Sequence, residues 1–326
     1  MAELITSPPR YAQAVPAALL MLIATTVQAA DPPPVTVLTG NQATYSLASA
    51  LTRETAIQVL NVPEDGRQSS LMKDYIGRRM DTLSPTFAAA TAVISLTNAL
   101  PGDPIYRFAR DANIRIVNID AALPWSLSTP GVALTDTPIS NVDWGTDTDP
   151  VGSATAPYFW LSLSNAIRMG DIIAHDLIEL FPDAKTTIQE NLDGLKWSLL
   201  NVRNEYQSRL IEAGDETVFA LTGDFVYLTN DMGLYVDGYF IKQDIRWTET
   251  DLSMLTNHLQ QRAIKVVIHK WIPSDAIQAA VSDAGAKLVV LDSGDPGMVE
   301  NRRLVADGLQ QILRSNLDAL YSALSQ

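Results

Sequence analysis

Short runs of β-branched and apolar residues alternate along this chain with longer stretches whose apolar positions recur every three or four residues. The runs 35–39, Ala56–Val62, Ala90–Leu96 and Ile114–Ile119 form one set of four; Thr217–Leu221, Leu234–Ile241, Ile264–His269 and Lys287–Leu291 form a second. Strand-length runs separated by helix-length amphipathic segments predict parallel sheets, because parallel strands need a crossover and that crossover is usually a helix. Two sets therefore predict an α/β protein of two lobes, each with a four-stranded, mainly parallel sheet flanked by helices. Between the sets lie a loop at 121–156, rich in Pro, Ser, Thr, Gly and Asp, and then two helical patterns. In the first, Leu163, Ile167, Ile173, Leu177 and Phe181 fall on one stripe, and Phe181-Pro182-Asp183 ends it. The second runs from Ala184 to Ala213 with Gly194 as its one internal glycine and Gly214 placed to cap it. The expected organisation is a signal segment at 1–29, an N-terminal lobe at 30–185, a connecting helix at 186–213 and a C-terminal lobe at 214–326.

The first residues read as an export signal. Ala17–Ala24 is apolar and too short to span a bilayer, and Val27-Gln28-Ala29 puts a small residue before a cut after Ala29. Pro32-Pro33-Pro34 then forms a stiff lead-in. With no Cys, the chain has neither disulfides nor thiolate metal sites nor a lipid-modified Cys after the signal. Together these features predict a freely diffusing periplasmic protein. A formal net charge of -14, with no window dense in Lys or Arg, excludes a phosphate-neutralising surface and hence nucleic acid as a partner.

Common catalytic signatures are missing: there is no G-x-S-x-G elbow, no H-E-x-x-H, no phosphate-binding G-x-x-x-x-G-K and no G-x-G-x-x-G after a strand. Four stretches instead carry a family resemblance. Val62-Pro63-Glu64-Asp65-Gly66 follows the second strand, Pro157-Tyr158-Phe159-Trp160-Leu161-Ser162 opens the first long helix, Phe219-Ala220-Leu221-Thr222 leads through Tyr227 to Gly233-Leu234, and Val290-Leu291-Asp292 ends the last strand. In order and spacing they resemble the zinc- and manganese-binding, ZnuA-like substrate-binding proteins of metal ABC importers. The resemblance implies a non-enzymatic, monomeric protein that captures a divalent metal, zinc or manganese, or a metal chelate between its lobes. It also implies delivery to an ABC permease at the inner membrane, with no cofactor needed for folding.

The family's site is usually three His and a carboxylate. At the matching positions this chain has the Gln68–Ser70 segment, Tyr158, Thr222 and Asp292, so only Asp292 keeps a metal-ligand type. Zinc prefers imidazole and thiolate, and such a set should hold it poorly. His269, at the end of a strand where open α/β sheets bind ligands, is a displaced ligand or a polar contact to a solute; the bland alternative is a hydrogen-bonded loop His. The expected ligand-contacting set is Asp292, Tyr158, Thr222, His269 and Gln68, with Asp292 as the metal ligand. His258 reads as a surface residue and His175 as a packed or edge one. Asp143, Asp147 and Asp149 read as a solvated loop with weak attraction for hard cations. Trp160, Phe225 and Trp271 either stack on a solute or belong to the core. Two rivals use the same fold: an exported interaction or accessory protein that has lost high-affinity metal binding, and an enzyme with Asp292 and His269 as an acid–base pair.

Overall fold

A computed structural model describes Met1, residues 35–144, residues 148 and 149, and residues 155–326. The export signal, Pro32–Pro34 and Asp147 lie outside the described residues. The first lobe contains β1 (Val35–Thr39), α1 (Gln42–Leu51), β2 (Ile57–Asn61), α2 (Ser69–Arg78), α3 (Met80–Ala89), β3 (Ala92–Ser95), α4 (Ile105–Ala112) and β4 (Val117–Asp120). Then come α5 (Leu163–Leu180) and α6 (Lys185–Ala213). The second lobe contains β5 (Thr217–Ala220), α7 (Val226–Met232), β6 (Tyr235–Tyr239), α8 (Glu249–Gln261), β7 (Val266–His269), α9 (Asp275–Asp283) and β8 (Lys287–Val290). A two-residue-per-strand hairpin, β9 (Val299–Glu300) and β10 (Arg303–Leu304), precedes α10 (Gly308–Leu324). The sheets run β2-β1-β3-β4 and β6-β5-β7-β8, with every pairing parallel. Each predicted run holds one strand, trimmed at most ends where the chain already turns into a loop or cap.

The two long helices follow from their sequence signals. Ser162 caps α5, its Oγ accepting the Asn165 N–H at 3.0 Å, and Leu163, Ala166, Met169, Ile173 and Leu177 are buried along one face. α6 runs 29 residues and stops at Gly214, whose φ of 73° is the left-handed cap that glycine adopts without a Cβ clash.

One apolar core passes through both lobes. It joins Val37 and Ile94 of the first sheet, Leu195, Leu199 and Tyr206 of α6, Val218, Val266 and Val289 of the second sheet, and Leu313 and Leu317 of α10. α10 packs on α1 and α6 as well as on β8, so the last helix belongs to both halves. The segment after β8 adds a polar seam. Gln42, fully buried at the start of α1, accepts the Met298 N–H at 2.9 Å and donates to the Val305 carbonyl at 2.9 Å. Gly297 and Gly308 pack so closely on Gln42 that a Cβ at either would lie 2.8 or 2.7 Å from its side chain.

Wide hinge closure would tear this core and seam, whereas flexible linkers permit it. Small-angle scattering of the protein with and without saturating zinc citrate is expected to give the same radius of gyration within error. A contraction on loading would contradict the shared core as a brace.

Candidate functional site

Both sheets have the same strand order, so each has a switch point, between β1 and β3 in the first lobe and between β5 and β7 in the second. Crevices outside the carboxyl ends of strands at such points are where open α/β sheets take ligands. In the first lobe Gly40 and Asn41 follow β1 and Leu96–Pro104 follow β3, and these loops border a cavity of about 710 Å³. The start of α2 (Gln68, Ser69, Ser70 and Lys73), Tyr158 and Asp295 complete its polar lining, with Met72, Leu100 and Leu134 among the apolar groups.

Two acidic side chains shape the β3–α4 loop. Asp103 accepts the Leu96 N–H at 2.7 Å and the Ile105 N–H at 3.1 Å; Asp120 accepts those of Asn98 at 2.7 Å and Ala122 at 2.9 Å. These bonds occupy donors that a loop and a helix start would otherwise leave open. Burial raises the pKa of both carboxyls, and the backbone donors oppose it.

Asp295 links the lobes. Gln68 makes no side-chain cap for α2, and the Asp295 carboxylate takes that role, accepting the Ser69 N–H at 2.8 and 3.1 Å through its two oxygens. Burial pushes the Asp295 carboxyl up, the Ser69 contacts oppose this, and Asp224 and Asp292 add repulsion. The sequence reading missed this residue. A local signal existed: Gly294 and Gly297, with φ of 74° and 102°, bracket Asp295-Pro296 directly after the last strand of the sheet.

Gln68 and Tyr158 line the cavity; Thr222, His269 and Asp292 do not. Tyr158 has a left-handed φ of 57° and precedes a single 3-10 turn, Phe159–Leu161, so it stands before the long helix that its motif was expected to open. Its phenol is pushed well above the usual tyrosine range by burial, then by the Asp295 and Asp224 carboxylates, and stays a neutral hydroxyl. Thr222 is buried beyond β5, its Oγ1 accepting the Asp224 N–H at 3.3 Å. Asp224 is paired with Lys270 at 2.9 Å. His269 is 3% exposed, with Nε2 3.8 Å from Asp244, Nδ1 without a hydrogen-bond partner and its ring 4.8 Å from that of Trp271. Burial lowers the His269 pKa and Asp244 opposes it, which leaves the imidazole neutral at pH 7. Asp292 is exposed; one carboxylate oxygen accepts the Gly294 N–H at 2.8 Å, and Asn316 clasps its backbone.

The remaining candidates are structural. His258 is packed rather than on the open surface, with Nε2 2.9 Å from Asp237 and its ring 5.2 Å from that of Phe219. His175 sits on α5 between Asp176 and Glu179. Asp149 pairs with Arg246, and Asp143 is exposed. Trp160 and Phe225 are core residues, and the Trp160 indole N–H donates to the Ser293 carbonyl at 2.9 Å. Among the described residues, no group of three or more His, Cys, Asp or Glu is arranged to hold a metal ion.

Two α/β lobes of matching strand order, braced by one long helix and holding a cavity at a switch point, define a substrate-binding protein. The chain belongs to the family described as ZnuA, zinc-uptake complex component A, periplasmic, whose model matches residues 107–323. Proteins of this family are metal-uptake substrate-binding components and not enzymes. Solved structures share the fold. An FpvC mutant from Pseudomonas aeruginosa is 20% identical with a TM-score of 0.68, the match covering 89% of this chain and 99% of that one. FpvC from the same organism in complex with Mn2+ is 19% identical with a TM-score of 0.62, over 89% of this chain and 98% of that one. A zinc-bound ZnuA with residues 138–173 deleted is 17% identical with a TM-score of 0.60, over 90% and 98%. No curated protein matches the sequence. No helix among the described residues is long and apolar enough to cross a membrane.

Proposed function

We propose that this chain, exported and cut after Ala29, is the periplasmic receptor of an ABC importer and hands a divalent metal, carried by a small chelator, to an inner-membrane permease. The observation that carries this reading is the cavity of about 710 Å³ in a protein whose described residues form no three-donor metal cluster. A volume in the range of roughly 300–1,000 Å³ suits a small organic molecule, whereas a bare ion needs converging donors. A chelator brings its own donors and leaves the protein to recognise its outer atoms. Amides and hydroxyls at Asn41, Gln68, Ser70 and Asn98 would serve that purpose. Lys73, which makes no ion pair among the described residues, would meet a chelator carboxylate, and the neutral Tyr158 hydroxyl would donate. Thr222, His269 and Asp292 are proposed contacts from the second lobe once cargo bridges the cleft, and Asp295 joins them.

Native mass spectrometry with elemental analysis of protein drawn from its own periplasm tests the reading. The expected species starts at Ala30 and carries one metal together with an organic mass. A bare metal in stoichiometric amount would replace the chelate by the ion. An empty protein would favour the exported interaction protein.

A further inference from the structure

We propose that a second concavity, lined by Arg67, Arg79, Arg302 and Arg303, is a binding site for a small, multiply charged oxyanion. It measures about 530 Å³, lies between the end of β2, α2–α3 and the tip of the β9–β10 hairpin, and shares no lining residue with the cleft cavity.

Three observations converge there. The first is charge: in a chain of net charge -14, four arginines face one hollow against two carboxylates, Glu64 and Asp65. Those carboxylates are engaged, Glu64 with Arg303 at 3.1 Å and Asp65 with Arg67 at 3.0 Å. Arg79 and Arg302 have no carboxylate partner among the described residues. The second is arrangement: the Arg79 and Arg67 guanidiniums lie 4.7 and 5.3 Å from the Tyr75 ring centroid, so one aromatic ring holds two like charges together.

The third is backbone. Asn301 and Arg302 form the two-residue turn of the hairpin with φ of 49° and 65°. Such turns favour Asn followed by Gly, because both central residues are left-handed and a Cβ is disfavoured there. Asn301 fits the rule and Arg302 breaks it. A connector alone is better served by glycine, so a strained arginine whose side chain lines a hollow points to use of the guanidinium. Arginine forks grip carboxylate or phosphate oxygens in pairs, and two forks without protein carboxylates suit an anion with two or more such groups.

Calorimetric titration of the mature chain at low salt with sodium pyrophosphate and, separately, sodium citrate tests the site. Saturable binding to one site is expected, falling at least tenfold in Arg302→Gly and in Arg79→Gln, and weakening as salt rises. Arg302→Gly relieves the turn, so its melting temperature should be unchanged or higher and lost binding cannot be ascribed to unfolding. The tighter anion identifies the source as phosphate or carboxylate. Failure of both anions to saturate, or undiminished binding in Arg302→Gly, would overturn the proposal.

Discussion

Asp251→Ala is expected to lower the melting temperature at pH 7 by on the order of 10 °C. Asp251 and Lys242 form a buried ion pair at 2.9 Å, with side chains 6% and 3% exposed. The same carboxylate accepts the Thr248 N–H at 2.8 Å, while Thr248 Oγ1 accepts the Asp251 N–H at 3.2 Å, a capping box that starts α8. Truncation leaves a buried ammonium unpaired and opens the cap. Breaking such a pair from one side costs about 3–5 kcal/mol, far more than the intact pair contributes over an apolar replacement. Lys242→Met added to Asp251→Leu should therefore recover much of the loss. Burial alone would raise the Asp251 carboxyl, but Lys242 and Thr248 outweigh it and hold the pKa below 3.8. The native state thus binds fewer protons than the unfolded chain near that pH. This contribution is present above about pH 4 and disappears as pH falls through the depressed folded value. Thermal unfolding followed by circular dichroism checks both points; a variant melting within 2 °C of wild type, on the scale of roughly 2–4 °C per kcal/mol, would show the pair to be idle.

Free zinc is expected to bind no tighter than micromolar, on the order of -8 kcal/mol, and Asp292→Ala to weaken what binding there is. The reason lies in the donors. Tyr158 is held as a neutral phenol, Thr222 and Gln68 offer neutral oxygens, and His269 is buried with Asp244 as its nearest carboxylate. One oxygen of Asp292 is already committed to the Gly294 N–H. Zinc favours nitrogen and sulfur ligands in a closed tetrahedron, which these groups do not make. Competition of chelator-stripped protein against a chromophoric zinc indicator gives the affinity, and the same assay with zinc citrate is expected to show tighter retention. A nanomolar site that survives Asp292→Ala would locate the ligands elsewhere, with His269 and the His258–Asp237 pair the first places to look.

Much of the frame was legible because burial imposes a period on the sequence. Val218–Leu221 and Val266–Ile268 are continuous apolar stretches because β5 and β7 lie inside a parallel sheet, and α5 shows its buried stripe directly. Other features leave little local trace. The break between α2 and α3 at Arg79 is marked only by Gly77 two residues earlier, while Pro85, the stronger breaker in the sequence, lies within α3. Asp295 acts by capping a helix 226 residues away, a pairing that no window of sequence contains. Tyr158 was placed on a helix because its motif adjoins one; the left-handed turn that sets it apart depends on packing around Phe159 and Trp160. Thr222 and Asp292 follow strand ends and His269 closes β7, yet hydrogen bonds tie Thr222 and Asp292 to local backbone N–H groups, and His269 lies 3.8 Å from Asp244, all away from the cavity.

The seam at Gln42 bears on how the chain is made. Gln42 and Ser46 bond to Val305 and Leu309, each 263 residues later, and α10 lies against α1. α5 and α6 also pack on α1 and are made earlier, so it is the α1 face carrying Gln42 and Ser46 that stays uncovered until the 17 residues of α10 have been synthesised. This seam of the first lobe can therefore close only after the strands of the second lobe have been made, although the rest of the first lobe has its own core between Leu38 and Ile116.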